Sequence, residues 1–295
     1  MDFKPEIVSP HICELAESPI WDAENNRIYW VDIVPGVLHW YNYGDLTKHE
    51  LFIGMKLSAV ALAGENRLVA VLQDGFYYID IKKKSIAAIA LVENELPDNR
   101  FNDGKCDPAG RFWAGSMSMA GDLDAGKLYM LDNHCRVTTQ INHVGCSNGL
   151  AWNIDHSVFY FIDTLRCSIA AYDFDVFSGK ISCGRIVKKF NQEEGFPDGM
   201  TIDSEGALWV AMWDAGNVSR YNSLTGELIL KIELPVSQIS SCTFGGANLS
   251  DLFITTARTG LNDIELANQL HAGHVFVVRG TEFTGLRAIS FSPNF

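Results

Sequence analysis

The chain has 295 residues, of which 47% are apolar, 20% charged and 11% aromatic, and no window approaches the ~18 uninterrupted apolar residues that span a bilayer. Against 36 Asp and Glu stand 23 Lys and Arg, a formal net charge of −13, and the longest basic run is Lys82-Lys83-Lys84, too short to follow a phosphate backbone. Nucleic acid and anionic membrane are thereby excluded as expected partners.

The N-terminal stretch MDFKPEIVSPHICELAESP carries acids and prolines where a signal peptide needs a cationic start and a continuous apolar run. Seven cysteines, at positions 13, 106, 135, 146, 167, 183 and 242, are odd in number and lack C-x-x-C spacing. They read as small buried hydrophobes in a reducing cytoplasm, without a disulfide framework or thiolate zinc site.

From there the chain repeats. A strand-like run, a polar turn and a second run rich in β-branched and aromatic residues recur as SPIWDAENNRIYWVDI (18 to 33), AVALAGENRLVAVLQ (59 to 73), DGKCDPAGRFWAGSM (103 to 117), GLAWNIDHSVFYFID (149 to 163), GMTIDSEGALWVAMW (199 to 213) and CTFGGANLSDLFITT (242 to 256). Each reads as a hairpin. The first turn residues, Asp22, Ala63, Asp107, Asn153, Asp203 and Gly246, are spaced by 41, 44, 46, 50 and 43 residues, the period of propeller blades.

Further runs such as KLYMLD, SIAAYDFD, NVSRYN and HVFVVR supply the remaining strands. The expectation is all-β: one domain over 1–295, a six-bladed β-propeller of four-stranded antiparallel blades, with a single short helix over Leu261 to Leu270. Because an open ring leaves exposed edges, the run IVSPHICEL (7 to 15) is expected to pair into the last blade. A closed ring buries its core alone, so a monomer is expected.

Five residues before each turn marker stand Glu17, Ser58, Asn102, Asn148, Asp198 and Ser241, all polar. Equivalent positions in six blades lie on one ring at the channel mouth. Glu17 and Asp198 brought together without a counter-charge would raise one pKa strongly, and a divalent cation removes the conflict. Oxygen ligands from Glu17, Asn148 and Asp198 suit Ca²⁺, Mg²⁺ or Mn²⁺ better than a tetrahedral zinc site. The competing reading is that these residues, with glycines close behind Asn102, Asn148 and Asp198, are turn formers bonded to their own backbone.

Other motifs carry less. Gly145-Cys146-Ser147-Asn148-Gly149 matches the G-x-S-x-G nucleophile elbow, but a strand follows where a helix is needed. The eight histidines show no H-E-x-x-H arrangement and read as surface or satisfied core residues. Asp122 and Asp124 read as a solvated turn. Trp21, Trp113, Trp152, Trp209 and Trp213 read as core between blades.

The segments AESPIW, RFNDGKCDPAGRFWAGSM, SNGLAWNIDH, YFIDT, PDGMTIDSEGALWVAMW and CTFGGANLSDLFITTAR resemble the regucalcin/gluconolactonase family of sugar lactonases, over about Glu14 to Val278. The resemblance implies a six-bladed propeller with one channel metal held by Glu17, Asn148 and Asp198, Ca²⁺ first, with Zn²⁺, Mg²⁺, Mn²⁺ or Fe²⁺ as alternatives. It implies hydrolysis of an aldonolactone to the aldonic acid and places sugar contacts on Arg100 and Asn102. After AGSM the regucalcin-like branch has an acidic pair where this chain reads Ser118-Met119-Ala120, so the sugar preference does not carry over. Asp198 is the expected general base. The rival readings are a non-catalytic calcium-binding propeller, a propeller esterase or phosphotriesterase, and, less well supported, a WD40-type scaffold. Without a family role, Arg100 would pair with Glu93, Glu95 or Asp98.

Overall fold

Four of the six residues that mark the repeat, Asp22, Asp107, Asn153 and Asp203, cap its turns. Asp107 accepts hydrogen bonds from the backbone N–H of Ala109 and Arg111 and from Trp113 Nε1 at 2.9 Å. Asp203 repeats the pattern with Glu205, Ala207 and Trp209 Nε1 at 2.8 Å. Asp22 and Asn153 cap their turns through backbone N–H groups without a tryptophan donor, and Asp22 also accepts from Asn25 Nδ2 at 2.7 Å. A short acceptor side chain that satisfies turn donors is why Asx residues recur there.

The computed structural model describes residues 3–293; residues 1, 2, 294 and 295 of the expected domain lie outside the described residues. After β1 (Pro5–Ile7), the first blade is β2 (Ala16–Asp22), β3 (Arg27–Asp32), β4 (Val37–Asn42) and β5 (Lys48–Phe52). The second is β6 (Leu57–Leu62), β7 (Arg67–Leu72), β8 (Gly75–Asp80) and β9 (Ser85–Leu91), and the third β10 (Asn99–Cys106), β11 (Phe112–Ser118), β12 (Gly126–Leu131) and β13 (Val137–Val144). The fourth is β14 (Ser147–Trp152), β15 (Val158–Asp163), β16 (Ser168–Asp175) and β17 (Lys180–Lys189), and the fifth β18 (Phe196–Ile202), β19 (Leu208–Trp213), β20 (Asn217–Tyr221) and β21 (Leu228–Glu233). The sixth takes β22 (Ile239–Gly245), β23 (Asp251–Thr256) and β24 (Phe276–Val278), and its fourth strand is β1. Six antiparallel four-stranded sheets thus form a six-bladed β-propeller.

The ring closes as the edge argument requires, with a shift in place. Only Ile7 of the run 7 to 15 lies in the closing strand, where Pro5 pairs with Val278 and Ile7 with Phe276. The rest of the run forms the seam between the last and first blades: Val8 N–H donates to Val275 O, Cys13 N–H donates to Gly273 O, and Leu15 bridges to Ala257.

Burial falls outward across each blade. Every residue of β14 is buried, whereas the outermost β9 is exposed along most of its length. The spaces between blades are filled by aromatic rings, including Trp113 against Phe159 at 5.1 Å, Trp209 against Phe244 at 5.4 Å and Trp21 against Phe253 at 5.5 Å. Burying a large apolar side chain contributes about 1.5–3 kcal/mol, so these contacts hold neighbouring blades in register. Trp21, Trp113, Trp152 and Trp209 are buried and Trp213 half-buried. Of the seven free cysteines, Cys13, Cys106, Cys146 and Cys242 are buried, Cys135 and Cys167 half-buried and Cys183 exposed.

The helix α1 (Asp263–Asn268) starts where Asn262 and Glu265 form a reciprocal capping box. The 3₁₀ turn Gln192–Glu194 was not expected from periodicity. Among the described residues, no helix is long and apolar enough to cross a membrane.

Candidate functional site

All six innermost strands break register at the aligned polar position. The shifts fall between Glu17 and Ile20, Leu57 and Ala59, Phe101 and Gly104, Asn148 and Leu150, Pro197 and Met200, and Ile239 and Ser241. A bulge adds residues to one strand and re-aims its side chains. Ser18, inside the first bulge, takes φ +49°, a left-handed conformation uncommon for serine. Its N–H donates to Glu17 Oε2 at 2.9 Å.

Close packing of the inner strands brings the ring together. A Cβ on Gly149 would meet Met200 Cβ at 2.5 Å and Asp198 O at 2.8 Å, and one on Gly199 would collide with Ser241 Oγ. These two glycines therefore serve approach between blades. The turn-former reading fails for Asn148 and Asp198, which lie within strands.

Glu17, Asn148 and Asp198 are 4%, 3% and 6% exposed. Asn148 Nδ2 donates to Thr164 Oγ1 at 3.0 Å, and Thr164 Oγ1 donates to Pro197 O at 2.7 Å. The amide is thereby oriented, leaving Asn148 Oδ1 buried without a partner, as is Asp198 Oδ1. Two orphaned buried oxygens in one ring are unusual, since nearly all such atoms are hydrogen-bonded.

The electrostatics point the same way. Burial pushes Glu17 well above the usual carboxylate range, and repulsion from Asp198 and Asp103 adds to it. Asp198 is raised for the same reasons, burial first and then Asp103. The proton retained by such a cluster belongs to the group as a whole. Asp103, 5% exposed and also raised by burial, is a third carboxylate that register alone does not reveal. Lys105 offsets it and donates from Nζ to Met200 O at 2.5 Å.

Arg100 and Asn102 are brought together. Arg100 Nη1 donates to Asn102 Oδ1 at 2.6 Å and to Phe101 O at 2.8 Å, while Asn102 Nδ2 donates to Ser147 O at 2.9 Å. The other guanidinium nitrogens make no hydrogen bond among the described residues. The acidic neighbours do not hold Arg100: Glu93 is taken by Asn99, Ser116 and Tyr129. Burial lowers the Arg100 pKa, and Cys146, Glu17 and Asp198 oppose that shift. Of the two hydroxyls in the ring, Ser58 donates to Phe101 O at 2.6 Å, and Ser241 packs against Gly199.

The elbow-like motif runs into β14, which starts at Ser147, and a strand rather than a helix follows β14. The serine of the motif, Ser147, has its Oγ buried with no hydrogen-bond partner among the described residues, so no base activates it. Toward the C-terminal ends of the inner strands the channel widens into a cavity of about 340 Å³, lined in part by Asp103, Lys105, Trp152, Ser241 and Arg287.

The profile of the SMP-30/Gluconolactonase/LRE-like region matches residues 15–258. The chain belongs to this family. Regucalcin of Homo sapiens is 38% identical over 297 residues, 98% of each chain. A luciferin-regenerating enzyme superposes with a TM-score of 0.92 at 31% identity, over 98% of this chain and 99% of that one. A calcium-binding protein, regucalcin, from Agrobacterium tumefaciens superposes with a TM-score of 0.94 at 26% identity, over 98% and 97%. Membership in the SMP-30/gluconolactonase/LRE-like family supports a lactonase-like or regucalcin-type function.

A resident divalent cation, implied by the family, fits the residues present. The ring offers two unpartnered oxygens and a carboxylate pair whose charges are costly without a counter-ion. Arg100 pairs with Met117 across β10 and β11, so Ser118-Met119-Ala120 lies at the same end of the third blade as Arg100. There Ser118 Oγ donates to Asp122 Oδ2 at 3.0 Å and Met119 is exposed.

Proposed function

We propose that the protein hydrolyses a sugar lactone to the open aldonic acid, with a divalent cation, Ca²⁺ first, held by Glu17, Asn148 and Asp198. The observation that carries this reading is the pair of buried, unpartnered oxygens, Asn148 Oδ1 and Asp198 Oδ1, in one ring with Glu17 and beside an arginine with free donors. When bound, the cation supplies Lewis acidity toward the lactone carbonyl and compensates the carboxylates.

The chain's own groups perform the remaining tasks. Asn102 fixes the Arg100 fork from one side, so the remaining guanidinium donors meet the lactone oxygens in a set orientation. Asn102 Oδ1 retains a second lone pair for a sugar hydroxyl. The Asp198 carboxylate oxygen that does not hold the cation takes a proton from water as the water oxygen adds to the carbonyl carbon. The ring C–O bond then breaks, and the same proton passes to the departing alkoxide, so water and lactone are consumed one for one. Exposed Met119 follows the strand end beside Arg100 and bears on which sugar is accepted. Every group in this scheme comes from one chain, so a monomer suffices.

A pH-stat assay on C5 and C6 aldonolactones, with the protein stripped and reloaded with single divalent ions, tests the reading. Turnover that appears only on reloading supports it. Binding of the ion without hydrolysis of any lactone favours the second reading, a calcium-holding propeller, for which the oxygen-only donor set also speaks. Faster hydrolysis of aryl esters or paraoxon would favour an esterase.

A further inference from the structure

We propose that His11, His39 and Glu50 form a second cation site, of the zinc class, on the seam where the ring closes. Glu50 of β5 lies directly opposite His39 of β4 in the first blade. His11 comes from the segment that leaves β1, the closing strand of the sixth blade, and enters β2. Their ligand atoms all lie within 4.8 Å of one another. Glu50 Oε2 is 3.3 Å from His11 Nε2 and 3.8 Å from His39 Nδ1, and the two imidazole centroids are 4.7 Å apart. A tetrahedral ion with bonds of about 2.0–2.1 Å needs ligand atoms about 3.4 Å apart, so a small adjustment closes the site.

An independent observation points to a ligand. His39 is 5% exposed, yet its Nδ1 is buried with no hydrogen-bond partner. The expectation that every histidine is exposed or satisfied fails here, because no described residue hydrogen-bonds His39 Nδ1. Its ring plane is fixed by stacking on Trp30 at 5.4 Å. His11 Nδ1 is held by Ser9 Oγ at 2.8 Å, which leaves Nε2 for a metal, the usual division of labour in a ligating imidazole. Behind the trio, Cys13 Sγ and an Asp32 oxygen lie within 4.8 Å of a His39 ring nitrogen. Asp32 is occupied by the N–H groups of Glu14 and Leu15 at 2.9 Å each, and neither it nor Cys13 joins His11 and Glu50 in one cluster, so the fourth position is left to water.

Two imidazoles and a carboxylate select Zn²⁺ or another late divalent ion. The oxygen ring of the channel selects harder ones. Glu50 is largely exposed, which gives the ion a path from solvent. A bound ion would tie the closing segment to β4 and β5, so occupancy would strengthen the seam.

The test uses the full chain with Asp198→Asn to disable the channel site, stripped by chelation and titrated with Zn²⁺ and, for its visible spectrum, Co²⁺. One equivalent of Zn²⁺ is expected, with the intense absorption of four-coordinate Co²⁺ and a melting temperature raised by a few degrees. His11→Ala and Glu50→Gln, at half-buried and exposed positions, should weaken Zn²⁺ binding more than about tenfold. His39→Ala should abolish it if that variant folds. Failure of the Asp198→Asn protein to bind Zn²⁺, or unchanged binding in both His11→Ala and Glu50→Gln, overturns the proposal, whatever the lactone assay shows.

Discussion

Replacing Asp198 by Asn keeps the side chain's shape and removes one of three buried carboxylates, Glu17, Asp103 and Asp198. Without the cation, each of these has its folded pKa raised by burial first. For a carboxylic acid raised in the folded state, stability is intact below the unfolded pKa and declines as pH rises toward the folded value, because the unfolded chain releases its proton first. Each unit of difference costs about 1.4 kcal/mol, and between an unfolded pKa of about 3.9 and neutral pH one such group can cost at most about 4 kcal/mol. The stripped wild-type protein should therefore lose stability between about pH 4 and pH 7, and Asp198→Asn should lose less.

At pH 7 the expected gain for the stripped variant is about 1–4 kcal/mol. With an unfolding entropy of about 2.1 cal/mol/K per residue, that is roughly 2–6 °C in Tm. Addition of Ca²⁺ at a hundredfold excess over Kd stabilises a competent site by about 2.7 kcal/mol. The wild type should gain about 4 °C and the variant much less, so the difference between them narrows or reverses on loading. Differential scanning calorimetry of both proteins, stripped and loaded, from pH 4 to 7, reads all four states. A stripped variant no more stable than the stripped wild type, with the same pH slope, would refute the claim that an uncompensated carboxylate cluster underlies the site.

Three further outcomes are expected. Thr164→Val removes the hydroxyl that orients the Asn148 amide, and loss of such a supporting partner should weaken the channel cation about 10–100-fold by calorimetric titration while leaving the Zn²⁺ stoichiometry of the seam unchanged. Arg100→Ala should raise KM for polyhydroxylated lactones much more than for an unsubstituted ring lactone; equal effects in steady-state kinetics would remove Arg100 from sugar contact. Gly199→Ala, whose methyl group would collide with Ser241, should destabilise the protein by about 1–3 kcal/mol in urea unfolding and lower cation affinity with it.

The period of the blades was legible because four of the six turns carry an acceptor at their first position, supplied by Asp22, Asp107, Asn153 and Asp203. Glu17, Asn148 and Asp198 were legible because they fall at one offset from those caps. Asp103 was not: it sits one residue out of register, and it enters the channel only because the third blade's break spans both Asn102 and Asp103. An acidic residue directly after a ring position was the one available signal. Thr164 was illegible for another reason, since it follows β15 and its hydroxyl links Asn148 of β14 to Pro197 of β18. The trio at the seam joins residues 11, 39 and 50, whose proximity depends on how the ring closes. The helix ends differ from Leu261 to Leu270 because the Asn262 capping box, rather than apolar spacing, determines where it starts.

The inner-strand bulge connects these observations. A regular β-strand sends alternate side chains to opposite faces, and in a propeller both faces of a blade pack against neighbouring blades, so a polar side chain there would be buried between blades. Breaking the register at one level in all six inner strands re-aims the side chains there: Glu17, Asn148 and Asp198 come together, whereas Ser58 bonds Phe101 O of the next blade and Ser241 packs against Gly199. The cost is local: unpaired backbone at each break and a left-handed Ser18. It is offset by the inter-blade aromatic packing outside the ring, which does not depend on what the ring carries. Identity at the ring positions can therefore change with little effect on the fold, whereas Gly149 and Gly199, which let neighbouring strands approach, cannot. A relative with different chemistry on this scaffold should differ at Glu17, Asn102, Asn148 or Asp198 before it differs at those glycines.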